Sequence, residues 1–148
     1  MKKNRLIPVI LLKNGWIVQS KEFNRYQNLG NPITAVSRIS EWGSDELIYL
    51  DISKNDKYDI KRSDQNYPNR NNFLEIIKDV AKVTFMPMTV GGKINNLCDI
   101  ERRLKLGADK ISINSKAITN IEFVEESARE FGSQCIVVSV DAKIKNNK

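Results

Sequence analysis

The stretch Ile136-Val137-Val138-Ser139-Val140-Asp141-Ala142-Lys143 is an apolar run that ends in an acidic and a basic side chain. Short continuous apolar runs are typical of strands that are buried on both faces of a parallel sheet. The last residues of such a strand lie at the carboxyl edge of the sheet, where α/β proteins carry their chemistry. The stretch therefore predicts an α/β fold that places Asp141 at a functional edge.

Four earlier apolar runs alternate with helical patterns, and residues 1–148 are interpreted as a single domain. The predicted strands before Ile136–Lys143 are Leu6–Leu12, Glu46–Ile52, Thr84–Val90 and Lys110–Asn114. The predicted helices are Ile33–Trp42, Asn72–Ala81, one that begins near Asn96 and stops at Gly107, and Asn120–Phe131. This alternation predicts a parallel sheet with right-handed helical crossovers.

Two architectures have this order, a doubly wound open sheet and part of a (βα)8 barrel. Polar groups or glycines follow every predicted strand: Lys13, Asp51, Gly91-Gly92, Asn114 and Asp141. Convergence from several strand ends favours the barrel. A dinucleotide-binding sheet would concentrate its signal in one glycine-rich turn after the first strand, which Lys13-Asn14-Gly15 is not. We therefore predict roughly a half-barrel of five parallel strands and four helices.

The chain has no histidine, and this excludes Ser-His and Cys-His catalysis. Two distant cysteines, Cys98 and Cys135, are poor zinc ligands, so no metal is predicted. Proton transfer then falls to Asp, Glu, Lys, Tyr or Cys. The formal charge is +6, but the basic residues are dispersed, which argues against a nucleic-acid partner. No apolar run approaches the roughly 20 residues of a membrane span, and so few cysteines favour a reducing, cytoplasmic location.

Several segments together resemble the cyclase (synthase) subunit family of imidazole glycerol phosphate synthase. They are Arg5–Ile7, Lys13–Gly15, Asp45–Ile52, Thr89–Gly92, Gly107–Asn114, and Phe131–Gln134 through Asp141–Lys143. The segments occur in order and at matching intervals along essentially the whole chain. The chain is similar to the first half of that family plus its fifth strand, and most similar to its paralogues linked to surface-polysaccharide genes, which share Leu-Lys-Asn-Gly after strand one.

The resemblance implies a (βα)8 barrel made of two similar half-barrels. It implies a heterodimer with a glutaminase subunit that docks at the amino-terminal face and supplies ammonia through the barrel. At the carboxyl-terminal face a phosphorylated substrate, a ribulosyl-aminoimidazole phosphate, is cleaved and cyclised by two aspartates. No cofactor is implied.

The same resemblance assigns site residues. Asp141 matches the second catalytic aspartate, whereas the first falls at Leu11, which cannot transfer a proton. Four phosphate-binding positions match and a fifth is altered: Gly91, Gly92, Asn114 and Ser115 are retained, and Lys93 stands where the family has a third glycine. A basic position after strand one is Gln19 here. Three of four ammonia-gate residues match, at Arg5, Glu46 and Lys110, and Asp109 matches a position facing the glutaminase.

Three functions follow from this pattern. A retained gate beside a lost aspartate favours a paralogue that channels ammonia to a sugar amidotransferase for surface-polysaccharide synthesis. The alternative is the histidine-biosynthetic cyclase itself, with a compensating acid elsewhere. A third possibility is an inactive truncated fragment, whose first and fifth strands are expected to be unpaired hydrophobic edges.

Overall fold

The computed structural model describes residues 4–22, 24–58 and 70–142 of the chain. Its strands are β1 (Val9–Lys13), β2 (Trp16–Lys21), β3 (Arg25–Gly30), β4 (Leu47–Asp51), β5 (Met88–Gly91), β6 (Lys110–Ile113) and β7 (Ile136–Val138). Its helices are α1 (Pro32–Glu41), α2 (Phe73–Val80), α3 (Leu97–Lys105), α4 (Ser115–Thr119) and α5 (Ile121–Phe131), and a 3₁₀ turn spans Ser133–Cys135. No helix within these ranges has the length and apolar character needed to cross a membrane.

Asparagine marks the start of four helices. The side chains of Asn31, Asn72, Asn96 and Asn120 each accept a hydrogen bond from a backbone N–H in the first turn of α1, α2, α3 and α5. These bonds satisfy donors that a helix leaves without an internal partner. At α3 the bond is reciprocated, because Asp99 accepts from the backbone of Asn96 in a capping box.

The strands form one sheet in the order β3-β2-β1-β4-β5-β6-β7. The five strands β1, β4, β5, β6 and β7 are parallel, and β2 and β3 form an antiparallel hairpin beside β1. One row across the sheet contains Leu12 and Asp51. Leu12 belongs to the hydrophobic core with Val36 of α1, Ile76 of α2 and Ile100 of α3, and Asp51 is buried next to Leu12. The adjacent row is Leu11, Leu50, Gly91, Ser112 and Val137, and it faces away from the helices because side chains alternate along a strand.

The prediction of a partial (βα)8 barrel is confirmed, with two additions and one correction. The short helix α4 and the pairing of the hairpin were not predicted. The expectation that the first strand is an unpaired edge is wrong, because β2 pairs with β1 from Leu11–Val18 to Lys13–Trp16. Strand β7 ends at Val138, although the Ser139 N–H still donates to Ile113 O over 2.9 Å. The predicted strand end Lys143 lies outside the described residues.

Candidate functional site

A cavity of about 620 Å³ lies at the carboxyl edge of the sheet, beside the ends of β4, β5 and β6. Four predicted phosphate-binding residues line it: Gly92, Lys93, Asn114 and Ser115. Asp51, Lys116 and Ser139 also contribute to its wall. The structure therefore gathers into one cleft residues that are separated by more than twenty positions in the chain.

The turn after β5 requires glycine because it lies against the end of β4. Gly92 has φ +108°, and a Cβ atom there would stand 2.3 Å from the carbonyl oxygen of Asp51. A Cβ on Gly91 would stand 2.7 Å from Leu50 Cδ2. Backbone this close to a neighbouring strand leaves room for no side chain, so the two glycines set the shape of the cleft.

Lys93 adopts the left-handed conformation, with φ +54°, at the position where the resembled family has glycine. Its ammonium points back to the loop that follows β4. It donates to the backbone carbonyl of Asn55, to Asp56 Oδ1 over 3.2 Å, and forms an ion pair with Asp51 Oδ2 at 3.7 Å. The positive charge of Lys93 is thus compensated by two carboxylates at the border of the cleft.

Asp141 is exposed, and its Oδ2 accepts a 2.8 Å hydrogen bond from Asn114 Nδ2. The predicted catalytic acid therefore touches a predicted phosphate-binding residue. Asp141 follows the end of β7 at Val138 by three residues, and its contact with Asn114 places it beside the end of β6 at the carboxyl edge of the sheet.

The two positions that depart from the family pattern after strand one occur together. Leu11 and Gln19 line an apolar cleft of about 920 Å³ between β1, the β2–β3 hairpin and α1. Among the described residues that line this cleft, none has a carboxylate. This cavity lies on the α1 side of the sheet, whereas the Leu11 side chain faces the opposite side, where its cross-strand neighbours Val18 and Leu50 are apolar.

Sequence reasoning missed a buried polar cluster behind the cleft. The Asp51 carboxylate is 2% exposed and accepts from the Ser53 N–H at 2.9 Å, the Ser53 hydroxyl at 2.5 Å and the Tyr58 hydroxyl at 3.2 Å. Burial, and then the adjacent Asp51 charge, raise the pKa of the Tyr58 phenol, so it remains a hydrogen-bond donor. Because Asp51 pairs with Leu12, its side chain is on the helix side of the sheet.

Arg103 was also missed. It is buried on α3, where its guanidinium donates to Asp99 O at 2.8 Å and to Gly92 O at 3.0 Å. Burial lowers its pKa, and the nearby Asp99 and Asp51 charges oppose that shift. A signal was present in the sequence, because Arg103 follows Ile100 by three residues and so shares its inward face.

At the amino edge the three predicted gate residues meet. Glu46 Oε1 binds Arg5 Nη1 at 2.5 Å, and Glu46 Oε2 binds Lys110 Nζ at 3.1 Å. The Glu46 side chain is only 13% exposed, so it bridges its two cations from a partly buried position. The neighbouring Asp109, predicted to face a partner, uses its carboxylate to accept from the Met88 N–H at 2.8 Å. No cluster of three or more His, Cys, Asp or Glu suited to a metal ion occurs within the described ranges.

The fold and its two edges define a protein of the (βα)8-barrel class with a candidate ligand cleft at the carboxyl ends of its strands. A family model described as "Histidine biosynthesis protein" matches residues 5–148, and the chain belongs to that family.

Relatives at about 40% identity support this assignment. The chain is 42% identical over all of its length to a putative imidazole glycerol phosphate synthase subunit hisF2 of Campylobacter jejuni, covering 55% of that protein. It is 40% identical over 99% of its length to imidazole glycerol phosphate synthase subunit HisF of Parabacteroides distasonis, covering 54% of it. A HisF subunit of an Exiguobacterium species is 38% identical, with 54% covered. The chain spans just over half the length of these relatives.

Proposed function

We propose that this chain acts as a cyclase-like subunit that receives ammonia from a glutaminase partner and passes it on for amidation of a surface-polysaccharide sugar. One observation carries the proposal. Glu46 is held by both Arg5 and Lys110 at the amino edge, whereas Leu11 toward the carboxyl edge is flanked in the sheet by Val18 and Leu50, neither of which is an acid. The features that suit ammonia entry are present, and one of two acids expected for cyclisation is absent.

Proton transfer to two different atoms of a cyclising substrate needs two acid–base groups in reach of the same cleft. Asp141 is one such group, and it is oriented by Asn114. Asp51 is close in the chain fold, but it lies on the helix side of the sheet and is already bound by Ser53 and Tyr58. It is therefore a poor replacement for the acid that is missing at Leu11.

The charged triad at the amino edge suits a small neutral passenger. Its one carboxylate and two cations leave a formal net charge of +1, which repels ammonium ions but not neutral ammonia. The triad can also open at low cost, because Glu46 remains paired with one cation when its ion pair with the other breaks. The family relationship supports a glutaminase as the source of ammonia.

The second candidate is the cyclase of histidine biosynthesis. It is favoured by the relatives named as imidazole glycerol phosphate synthase subunits and by the Asp141–Asn114 contact beside the phosphate-type cleft. Under this alternative another side chain supplies the second acid.

A growth test separates the two functions. A relative of full family length with leucine at the position of Leu11 is expressed in a bacterium that lacks its cyclase subunit but retains the glutaminase. We expect no growth without histidine, although the relative and the glutaminase co-purify. Growth would overturn the ammonia-channelling proposal and support the cyclase. Failure to co-purify with any glutaminase would contradict both.

A further inference from the structure

Lys93 stands at the border of two cavities, and its described polar contacts are with the loop that follows β4. It lines the cleft that contains Asn114 and Ser115, and also a second cavity of about 560 Å³ that contains Asp56 and Arg103. Its described polar contacts are to Asn55, to Asp56, which lines the second cavity, and to Asp51, which lines both. The Lys93 side chain is 23% exposed, so its ammonium remains accessible to water.

The loop that Lys93 holds is anchored at its ends and exposed in the middle. Ser53 accepts from the Asn14 N–H at 2.8 Å and donates to Asp51, while the Tyr58 N–H donates to Asn71 O at 2.8 Å. Residues 54–57 between these anchors are all exposed. The contacts of Lys93 with Asn55 and Asp56 tie this exposed segment to the turn after β5.

Releasing the ammonium breaks three contacts, each of which has a replacement. The carbonyl of the exposed residue Asn55 can accept from water instead. Asp51 keeps its bonds from the Ser53 N–H, the Ser53 hydroxyl and Tyr58, so its buried carboxylate is not left without donors. Asp56 is 93% exposed, and an ion pair to so exposed a carboxylate contributes little to stability. A doubly charged phosphate in the cleft would bind the same ammonium through shorter, charge-assisted hydrogen bonds.

We propose that Lys93 is an anion-operated clasp: without ligand it fastens the Ser53–Tyr58 loop, and a phosphate group in the Gly92–Asn114–Ser115 cleft draws its ammonium away and releases that loop. The inference rests on the proposed function, since it assigns the cleft to a phosphate-bearing ligand. It gives the replacement of the family glycine by Lys93 a role that connects ligand binding to loop opening.

The test is amide hydrogen exchange of the full chain, with inorganic phosphate and ribose 5-phosphate as probes. In the wild type we expect either probe to slow exchange near Gly92 and Ser115 and to speed exchange in residues 54–57 several-fold. In Lys93→Met those loop amides should exchange quickly from the start and not respond further. Phosphate should bind this variant roughly tenfold more weakly, because one charge-assisted contact is lost.

Two further variants distinguish the clasp from general charge effects. Lys54→Met removes a cation from the same loop, outside the cleft, and should leave phosphate affinity and loop response unchanged. Asp56→Asn should speed loop exchange and bind phosphate at least as well as the wild type. If phosphate protects the cleft and the loop does not respond, the clasp is wrong while the phosphate site stands. If phosphate protects nothing, both the clasp and the phosphate-binding part of the proposed function fail.

Discussion

Leu11 is the single residue on which the choice between functions depends most. It is half-buried, it is flanked in the sheet by Val18 and Leu50, and it lies on the face of the sheet opposite the helices. A leucine there packs favourably against apolar side chains, whereas a carboxylate would lose part of its hydration.

We therefore expect Leu11→Asp to lower the free energy of unfolding at pH 7 by about 1–3 kcal/mol, the usual cost of a buried polar group without partners. Burial raises the pKa of the introduced carboxyl, so the loss should grow as pH rises through about 4 and shrink below it. Urea unfolding between pH 3 and 7 measures this. Leu11→Asn is the neutral control and should show no such pH dependence. An unchanged stability of Leu11→Asp would show that a suitable donor already lies beside position 11.

Tyr58 gives a second prediction, at alkaline pH. Its phenol has a pKa raised above the ordinary value of 10.0 by burial and by Asp51. When the pKa of a group is raised in the folded state, its contribution to stability is fully present below the pKa of the unfolded state. That contribution is lost as the pH rises from there toward the folded-state pKa. Tyr58→Phe should cost roughly 1–2 kcal/mol at pH 7, since Asp51 loses one donor, and should flatten the fall in stability above about pH 10.

Tyrosinate absorbance and unfolding are followed together for this test. In the wild type, part of the tyrosinate signal should appear only as the chain unfolds. Tyr49→Phe is the comparison variant: Tyr49 is also buried and burial also raises its pKa, but it donates to Pro32 O and not to a carboxylate, so the variant should flatten the alkaline fall without removing a donor from Asp51. The idea fails if Tyr58 ionises in the folded protein near pH 10.

The turn after β5 is the element that shapes the candidate cleft. Gly92 combines a positive φ with a close approach to the Asp51 backbone, and Gly43 after α1 has a positive φ of +73° with nothing within 4 Å of a Cβ position. Substitutions at these two glycines therefore distinguish the cost of backbone strain from the cost of a steric clash.

We expect Gly43→Ala to cost about 1 kcal/mol, from strain alone, and Gly92→Ala to cost at least 3 kcal/mol because β4 and the turn must move apart. Thermal unfolding of both variants provides the comparison. Equal losses at the two positions would mean that the turn gives way easily and does not define the cleft.

Most helices were predictable from local chemistry. Asn31, Asn72, Asn96 and Asn120 cap helices whose inward residues recur at helical spacing, and the predicted bounds differ from the observed ones by about one residue. Strands were less well bounded. Residues 84–87 were predicted as part of the third strand, but β5 starts at Met88, since an apolar run alone does not show where a neighbouring strand stops pairing. The five-residue helix α4 escaped because it has no side-chain cap and spans little more than one turn.

Taken together, the elements give the chain two chemically different edges. The amino edge has the Arg5–Glu46–Lys110 triad, and the carboxyl edge has the cleft with Asn114 and Asp141. This division follows from parallel strands, whose like ends all meet at one edge.

Glu46→Gln tests the triad. We expect a loss of about 1–3 kcal/mol in unfolding free energy, because two cations near a partly buried site lose their shared carboxylate. Glu125→Gln is the matched control: its ion pair with Arg129 is on the surface of α5, about three-quarters exposed on both sides, and should contribute less than about 0.5 kcal/mol. Urea unfolding at low and high salt measures both. In a complex with a glutaminase, Glu46→Gln should also reduce delivery of ammonia to the carboxyl edge. If Glu46→Gln lowers the free energy of unfolding no more than the control does, the triad is an ordinary surface ion pair and not a gate.

Alternating apolar runs, helix caps and polar strand ends were enough to predict the α/β order, the barrel class and the edge at which each candidate residue lies. These features are local, and the parallel topology that they imply leaves few arrangements. Side-chain partnerships were decided only by the tertiary structure. The capture of Lys93 by Asp56 and Asp51, the burial of Arg103 against Gly92 O, and the pairing of β2 with β1 join residues that are distant in the chain or depend on strand register. Such contacts depend on which surfaces meet once the sheet has formed, and a local sequence pattern does not specify which distant residues will come together.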